Sequence, residues 1–119
     1  MTKTELSEVL HEVGIPVHEG ITSKSDTNKY PRILYWPFVE QKKLASGGAY
    51  YNEVTYQISL FARTPQCEEF KKMRKLLEEK GIYPVFEHEY IEKDSVFSKT
   101  WHTRCAVDVT EEGERSGDL

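Results

Sequence analysis

The apolar residues of this chain first recur every three or four positions, which predicts an amphipathic helix near its start. Thr2 and Glu5 have the spacing of a capping box, so this helix is predicted to begin just after Thr2. Gly14 tolerates the positive φ that ends a helix, and Pro16 prevents continuation. The predicted inward face consists of Leu6, Val9, Leu10 and Val13.

The apolar spacing then changes to the alternation that is typical of strands. β-forming residues cluster over 32–39, where Pro31 and Pro37 indicate either an edge strand or a strand that bends near Pro37. A period of two marks 54–62 as a strand with one buried face. The intervening residues 40–52 are polar and contain a Gly-Gly turn signal. These three segments predict a hairpin with a long tip. Residues 18–29 have no apolar period and are predicted to form an exposed loop.

A second helix and two more strands complete the pattern. Thr64 is a good N-cap, Pro65 suits the first helical position, and Gly81 ends the helix. Residues 82–92 are predicted to form a strand with a bulge or bend, and residues 97–109 a regular strand. The inward stripe of the helix consists of Phe70, Met73, Leu76 and Leu77.

The element order α-β-β-α-β-β predicts an α+β fold. We expect a mainly antiparallel sheet of about four strands with both helices on one face, and a short extra strand at 15–17 is left open. Residues 1–110 form a single predicted domain, followed by a flexible acidic tail at 111–119. The predicted core consists of Leu6, Val9, Leu10, Val54, Tyr56, Ile58, Leu60, Phe70, Met73, Leu77, Trp101, Cys105 and Val107.

Composition narrows the class of function. The formal net charge of −4 argues against a protein that binds nucleic acid through a basic face, so no direct nucleic-acid recognition is expected. The only cysteines are Cys67 and Cys105, without a CxxC pair, which indicates reduced thiols in a cytoplasmic protein. The polar start predicts no signal peptide, and no apolar run approaches the ~18 residues of a membrane span.

Candidate chemistry is sparse. The chain has no Gly-rich phosphate loop and no HExxH motif. His88 and His102 could meet across paired strands, but two ligands are too few for a zinc site. Cys67 is predicted in the first turn of the second helix, where Glu68 and Glu69 oppose a thiolate. We therefore predict no catalytic residue, no metal site and no cofactor.

Four stretches carry a resemblance to a known family. In chain order they are GIPVHEG after the first helix, YPRILYW, VTYQISLFAR leading into FKKMRKLLEEKGI, and EHEYIEKDSVFSKTWHTRCAVDV. Over about residues 5–110, the chain resembles the tail terminators, or tail-to-head joining proteins, of long-tailed (siphovirus-type) phages and prophages of Gram-positive bacteria. The family's YxIELYT strand is matched by Tyr56, Ile58, Leu60 and Phe61. Its YIESEKMY segment is matched by Tyr90, Ile91, Glu92 and Lys93.

The resemblance implies a structural virion protein rather than an enzyme, with no cofactor. Such a protein forms a ring, hexameric in the particle, at the head-proximal end of the tail. It ends tail-tube growth and joins the tail to the head, so its partners are copies of itself, the tail tube protein and the head connector or stopper protein. It is made in the host cytoplasm and then resides in the virion. A head-completion or connector adaptor remains an alternative, as does, from a different class, a small α+β binding module or enzyme.

Two surfaces are candidates for contacts in such a ring, which needs a heterologous interface between neighbouring subunits. A basic face of the second helix could meet the acidic tail of the next subunit, unless it is simply a solvated helix face. The hairpin tip could then project along the ring axis toward tube or connector. The candidate interface residues are Lys71, Lys72 and Lys75 on the helix, Glu111 and Glu112 in the tail, and Lys42, Lys43, Leu44, Tyr50 and Tyr51 at the tip.

Overall fold

A computed structural model of the chain describes residues 1–26, 29–44, 46–48, 50–64, 66–91 and 100–110. These residues form two helices and five strands, and a short 3-10 turn, Ser46–Gly48, connects the second strand to the third. The elements in chain order are α1 (Lys3–Glu12), β1 (Val17–Glu19), β2 (Arg32–Leu44), β3 (Tyr50–Ala62), α2 (Glu68–Glu79), β4 (Glu87–Ile91) and β5 (Thr100–Thr110).

The strands form one mixed sheet in the order β1-β2-β3-β5-β4. β1 is parallel to β2, and the other neighbours are antiparallel. The predicted α+β class is confirmed, but a sheet of four antiparallel strands is wrong, because β1 adds a parallel strand before β2. The carbonyl of Pro16 accepts a hydrogen bond from the Ile33 N–H at 2.8 Å and so aligns β1 along β2. A strand of three residues is too short to show a periodic pattern.

The boundaries of α1 follow the sequence signals. Thr2 and Glu5 exchange two hydrogen bonds of 3.2 Å, which is the predicted capping box. Gly14 has a φ of 88°, in the left-handed region that glycine adopts without strain. The chain can therefore leave the helix there and lead into β1.

Two other boundaries differ from prediction. α2 begins at Glu68 with Cys67 as its N-cap, so Thr64 lies before the helix, and Pro65 lies outside the described residues. The left-handed turn at Gln66, with a φ of 45°, separates β3 from the helix. Strand β4 begins at Glu87, five residues later than expected from the 82–92 segment.

The core lies between the sheet and both helices. Buried residues of α1 and α2 belong to one cluster with alternate residues of β3 and β5, so both helices pack on the same face of the sheet. Trp101 is the exception to the predicted core, because it is only half buried and packs on Tyr90 with ring centroids 5.0 Å apart. The predicted core residues that are buried are Leu6, Val9, Leu10, Val54, Tyr56, Ile58, Leu60, Phe70, Met73, Leu77, Cys105 and Val107.

The hairpin between β2 and β3 is paired much further than predicted. Cross-strand pairs continue to Leu44 and Tyr50, so the expected loop over 40–52 is mostly strand. The register shifts between Pro37 and Val39, which makes Phe38 a bulge and agrees with the predicted bend near Pro37. The alternative of an edge strand is wrong, because β1 and β3 flank β2. The helices do not cover the end of this hairpin, so both of its faces are in contact with solvent there. Its sequence is therefore polar and does not alternate between apolar and polar residues.

The segment that follows β1 is anchored by charge. Asp26 accepts from the imidazole of His18 at 2.6 Å and pairs with the ammonium of Lys29 at 2.9 Å. Lys29 and then His18 lower the pKa of Asp26 to about 2. The predicted exposed loop over 18–29 therefore contains a polar contact that ties it to β1, and residues 27 and 28 lie outside the described part.

Candidate interaction surfaces

The side of the sheet opposite the helices is here called the open face. It carries the strand side chains that alternate with the buried ones. Cross-strand pairing places Trp36 beside Gln57 and Gln57 beside Ala106. Val85 precedes β4 at the position that continues this row, because Glu87 pairs with Arg104 two residues away. The row therefore crosses β2, β3 and β5 and ends at Val85, just before β4.

A cleft of about 430 Å³ lies on this row, and its lining includes Phe38, Gln57, Val85 and Ala106. The bulge exposes 51% of Phe38 on one side, and Val85 is 81% exposed. The Ala106 side chain is too short to fill the space between them. An ion pair of 3.0 Å between Arg104 and Glu87 also lines the cleft. The open face thus offers an apolar depression beside a charged pair.

The far end of the hairpin projects beyond the rest of the sheet. The last pair with β5 joins Glu53 to Thr110, so residues 42–44 and 50–52, here called the arm, extend past it. Three residue pairs at ~3.3 Å each add about 10 Å before the turn. The arm contains all five predicted tip residues, namely Lys42, Lys43, Leu44, Tyr50 and Tyr51.

One side of the arm ends in an exposed apolar pair. Leu44 and Tyr50 are opposite each other and are 66% and 51% exposed. Lys42 lies on the same side of the hairpin, two residues before Leu44, and has no ion-pair partner among the described residues. Lys43 points to the other side, where its ammonium is 3.0 Å from a carboxylate oxygen of Glu53.

The basic residues of α2 lie on its exposed side, away from the sheet. Lys71, Lys72 and Lys75 are all exposed, and Lys71 has a carboxylate oxygen of Glu68 at 3.6 Å. This pair joins residues three apart on the helix surface, so it leaves the basic side chains at the solvent side of α2. The acidic residues proposed as partners, Glu111 and Glu112, lie outside the described residues, and their contact with this face stays a prediction.

Ser59, His102 and Glu89 come together on the open face, although no spacing in the sequence predicts this group. The His102 Nε2 atom is 2.7 Å from the Ser59 hydroxyl, and its Nδ1 atom is 3.7 Å from a carboxylate oxygen of Glu89. The order resembles a Ser-His-acid triad. However, Ser59 is 0% exposed, so a substrate carbonyl has no access to its hydroxyl. These contacts link β3, β5 and β4 across the open face.

The two histidines do not meet across the ladder, so that prediction is wrong. His88 pairs with Thr103 on the helix side, where its ring is 5.2 Å from that of Phe70. His102 lies on the open face and stacks on Phe61 with centroids 4.8 Å apart. Because adjacent strand residues alternate between faces, pairing Glu89 with His102 forces this separation.

A stack of rings and guanidinium groups covers the end of the open face near β1. The guanidinium of Arg32 lies 4.7 Å from the ring centres of both Tyr30 and Phe61, and that of Arg63 lies 4.4 Å from Tyr30. A hydrogen bond with Arg32 is the main cause that lowers the pKa of Tyr30. This contact fixes the segment before β2 onto the end of β3.

Neither thiol has the environment of a nucleophile. Burial raises the pKa of Cys105 to about 12, and the residue lies in the core as predicted. Burial is also the main cause that raises the pKa of Cys67. Among the described residues, no group of three or more His, Cys, Asp or Glu side chains could hold a metal ion. None of the described helices is both long and apolar enough to cross a membrane.

Comparison with solved structures gives a distant likeness, while the two sequence comparisons find nothing. No protein-family model matches the chain, and no curated protein matches its sequence. The chain is similar to a sheath/tube terminator of PVC, an extracellular contractile injection system, solved in the extended state by cryo-electron microscopy. The TM-score is 0.43 with 12% identity, over 92% of this chain and 57% of the terminator. The chain thus spans a little over half of that protein, and a likeness at this score does not establish a shared fold.

Proposed function

We propose that this chain is a structural ring subunit at the head-proximal end of a phage tail. In this role it ends growth of the tail tube and joins the tail to the head connector or stopper protein. The ring is hexameric if the chain follows the family that its sequence resembles. The function requires contacts on several sides of each subunit and no bond-making chemistry.

The observation that carries this proposal is the arm. A paired hairpin that extends beyond the sheet adds little to the core, because Leu44 and Tyr50 at its end remain exposed. Exposed apolar side chains on a projecting element are typical of contact surfaces in assemblies. The motif matches support the same role, since Tyr56, Ile58 and Leu60 form the buried side of the central strand β3.

The proposal is tested by locating the protein in assembling particles. The full chain with an epitope tag is expressed in cells that produce particles without the untagged protein. The tag is then located on the particles by immunogold electron microscopy. We expect one label position at the head-proximal end of complete tails, and also at one end of tails isolated before joining. Label along the tube would contradict a terminator.

The same experiment separates the terminator from a connector adaptor. Tails purified from a host that makes no heads should carry the label if the chain completes tails. Tailless heads should carry it if the chain completes heads instead. A variant in which Leu44 and Tyr50 are both replaced by Ser tests whether the arm is needed for function. We expect this variant to leave tails that are not joined to heads. Substitution of Gln41 by Ser, also exposed in β2, is the matched control.

A further inference from the structure

The strand β5 is much longer than the edge strand β4 that covers its outer side. β3 pairs with β5 from Trp101 to Thr110, whereas β4 pairs with it only from Thr100 to Arg104. Within the part of the chain that the structure describes, the outer edge of β5 therefore has no strand beside it from residue 105 onward. Such an edge leaves main-chain N–H and C=O groups without ladder partners.

A hydrogen bond of Thr110 shows which residues of β5 face this edge. The Thr110 N–H donates to the Met1 carbonyl at 3.0 Å, so this residue points away from β3. Because the main-chain groups of successive strand residues point to opposite sides, Asp108 and Ala106 also point away from β3. Among the described residues, no main-chain hydrogen bond joins Asp108 or Ala106 to a group on that side.

Residues 82–86, here called the strap, connect α2 to the start of β4. Their side chains already alternate as in a strand. Ile82 and Phe86 are partly buried against the core, whereas Tyr83 and Val85 are 75% and 81% exposed. This alternation predicts a strand, although pairing starts only at β4. The strap thus has the side-chain arrangement of a strand without its main-chain hydrogen bonds.

The strap lies beside the uncovered edge of β5. Val85 lines the cleft of about 430 Å³ on one side, and Cys105 and Ala106 line it on the other. Counting back along the antiparallel ladder from the pair of Glu87 with Arg104 places Val85 opposite Ala106. The cleft therefore separates two segments that are in antiparallel register but are not hydrogen bonded to each other.

Pro84 is compatible with pairing of the strap, although it has no N–H. Arg104 lies two residues before Ala106 and so also faces outward, and its partner Glu87 faces β5. Val85 then faces β5 as well, while Pro84 faces away from it. A proline can occupy such a position in an edge strand, because its nitrogen is not needed for the ladder.

We propose that the strap closes onto the uncovered half of β5 and extends β4 back to Tyr83. In this closed state, Val85 exchanges main-chain hydrogen bonds with Ala106, and Tyr83 with Asp108. Closure fills the cleft and covers an edge that could otherwise pair with a strand of another molecule. A partner that needs this edge must first displace the strap. This inference does not depend on the proposed ring function.

Closure requires little rearrangement of the helix side. The N–H of Ile82 donates to the Leu77 carbonyl at 2.9 Å, and this bond can remain, because Ile82 faces away from β5. The Phe86 ring already packs edge-on against Phe70 with centroids 5.0 Å apart. Pairing opposite Cys105, whose side chain is buried on the same side, keeps it there.

Proton NMR of the unaltered full chain in dilute solution tests the closed state. In antiparallel pairs without mutual hydrogen bonds the Cα atoms are only ~4.5 Å apart, so their Hα protons give strong cross-peaks. We expect such cross-peaks from Phe86 to Cys105 and from Pro84 to Val107, with slow amide exchange at Ala106. Fast exchange at Ala106 without cross-peaks from the strap overturns the proposal. Slow exchange without these cross-peaks also overturns it, because another group then covers the edge.

Two substitutions at one exposed position provide a second test. Val85→Pro removes the N–H that would donate to the Ala106 carbonyl, whereas Val85→Thr keeps the N–H and a β-branched side chain. Position 85 lies outside the helices and strands, so neither change affects the core. Amide exchange at Ala106 should become several-fold faster in the proline variant than in the threonine variant. Equal rates in the two variants overturn the proposal.

Discussion

Substitution of Ile58 by Asp tests which face of the sheet the helices cover. Ile58 is 0% exposed in the central strand, opposite Tyr35 on one side and Cys105 on the other. Loss of its side chain alone removes about 2–5 kcal/mol of stability, by comparison with aliphatic-to-Ala changes in other cores. An unpaired carboxylate in the same place adds several kcal/mol more, because no cation faces it across the ladder.

The combined loss is comparable with the whole free energy of unfolding of a domain, which is about 5–15 kcal/mol. We therefore expect Ile58→Asp to be unfolded or close to it in water. Gln57→Asp makes a carboxylate one residue earlier, on the open face, and removes only a hydrogen bond to Ser59. That change should lower the free energy of unfolding by about 1 kcal/mol.

Urea unfolding followed by far-UV circular dichroism measures both variants. At an m value of about 1–3 kcal/mol per M, Gln57→Asp should move the midpoint by no more than about 1 M. Ile58→Asp should show no cooperative transition. A soluble Ile58→Asp protein with native-like melting would refute the assignment of faces, as would a Gln57→Asp protein that fails to fold.

Three further predictions concern acidity, local stability and assembly. Burial lowers the pKa of His102 below its ordinary value of 6.5. As the pH falls, the unfolded state therefore binds a proton before the folded state does. The free energy of unfolding should decrease as the pH falls below the ordinary pKa of histidine. His102→Gln should flatten this loss in urea titrations between about pH 8 and about pH 5, and an unchanged slope would contradict it. Amide exchange should be fast in the arm and slow in the rest of β3, since an isolated two-stranded hairpin is marginally stable, and equal protection would oppose this view. Lys71→Glu with Lys75→Glu should leave the monomer folded and abolish the joining of tails to heads, and reversal of Glu111 and Glu112 to Lys should restore it. Normal joining by the doubly reversed helix would show that another surface holds the ring.

Much of the fold was predictable, because most of its elements are amphipathic. Ile58 and its neighbours in β3 alternate, and the capping box at Thr2 fixes the start of α1, so the buried faces could be assigned from sequence alone. β1 could not, since its three residues pair with β2 through backbone hydrogen bonds that no side-chain pattern records. The pairing of β1 with β2 depends on the position of both strands in the sheet, and the sequence of β1 alone does not determine it.

The candidate contact surface was predictable only in part. The polar hairpin tip with Leu44 and Tyr50 was recognised, but its paired structure was missed, because strands exposed on both faces do not alternate. The cleft was missed because it depends on register, which brings Ala106 into line with Val85. A usable signal existed in the sequence, since Ala106 is the one small residue between Arg104 and Asp108 on an exposed strand face.

Electron microscopy of the purified full chain at high concentration would show directly whether the protein forms a ring. We expect ring-shaped particles about as wide as a tail tube, whose class averages show rotational symmetry. The double substitution Leu44→Ser and Tyr50→Ser should abolish them. Protein that remains monomeric at every concentration, and that is absent from the head–tail junction of labelled particles, would contradict the proposed ring function.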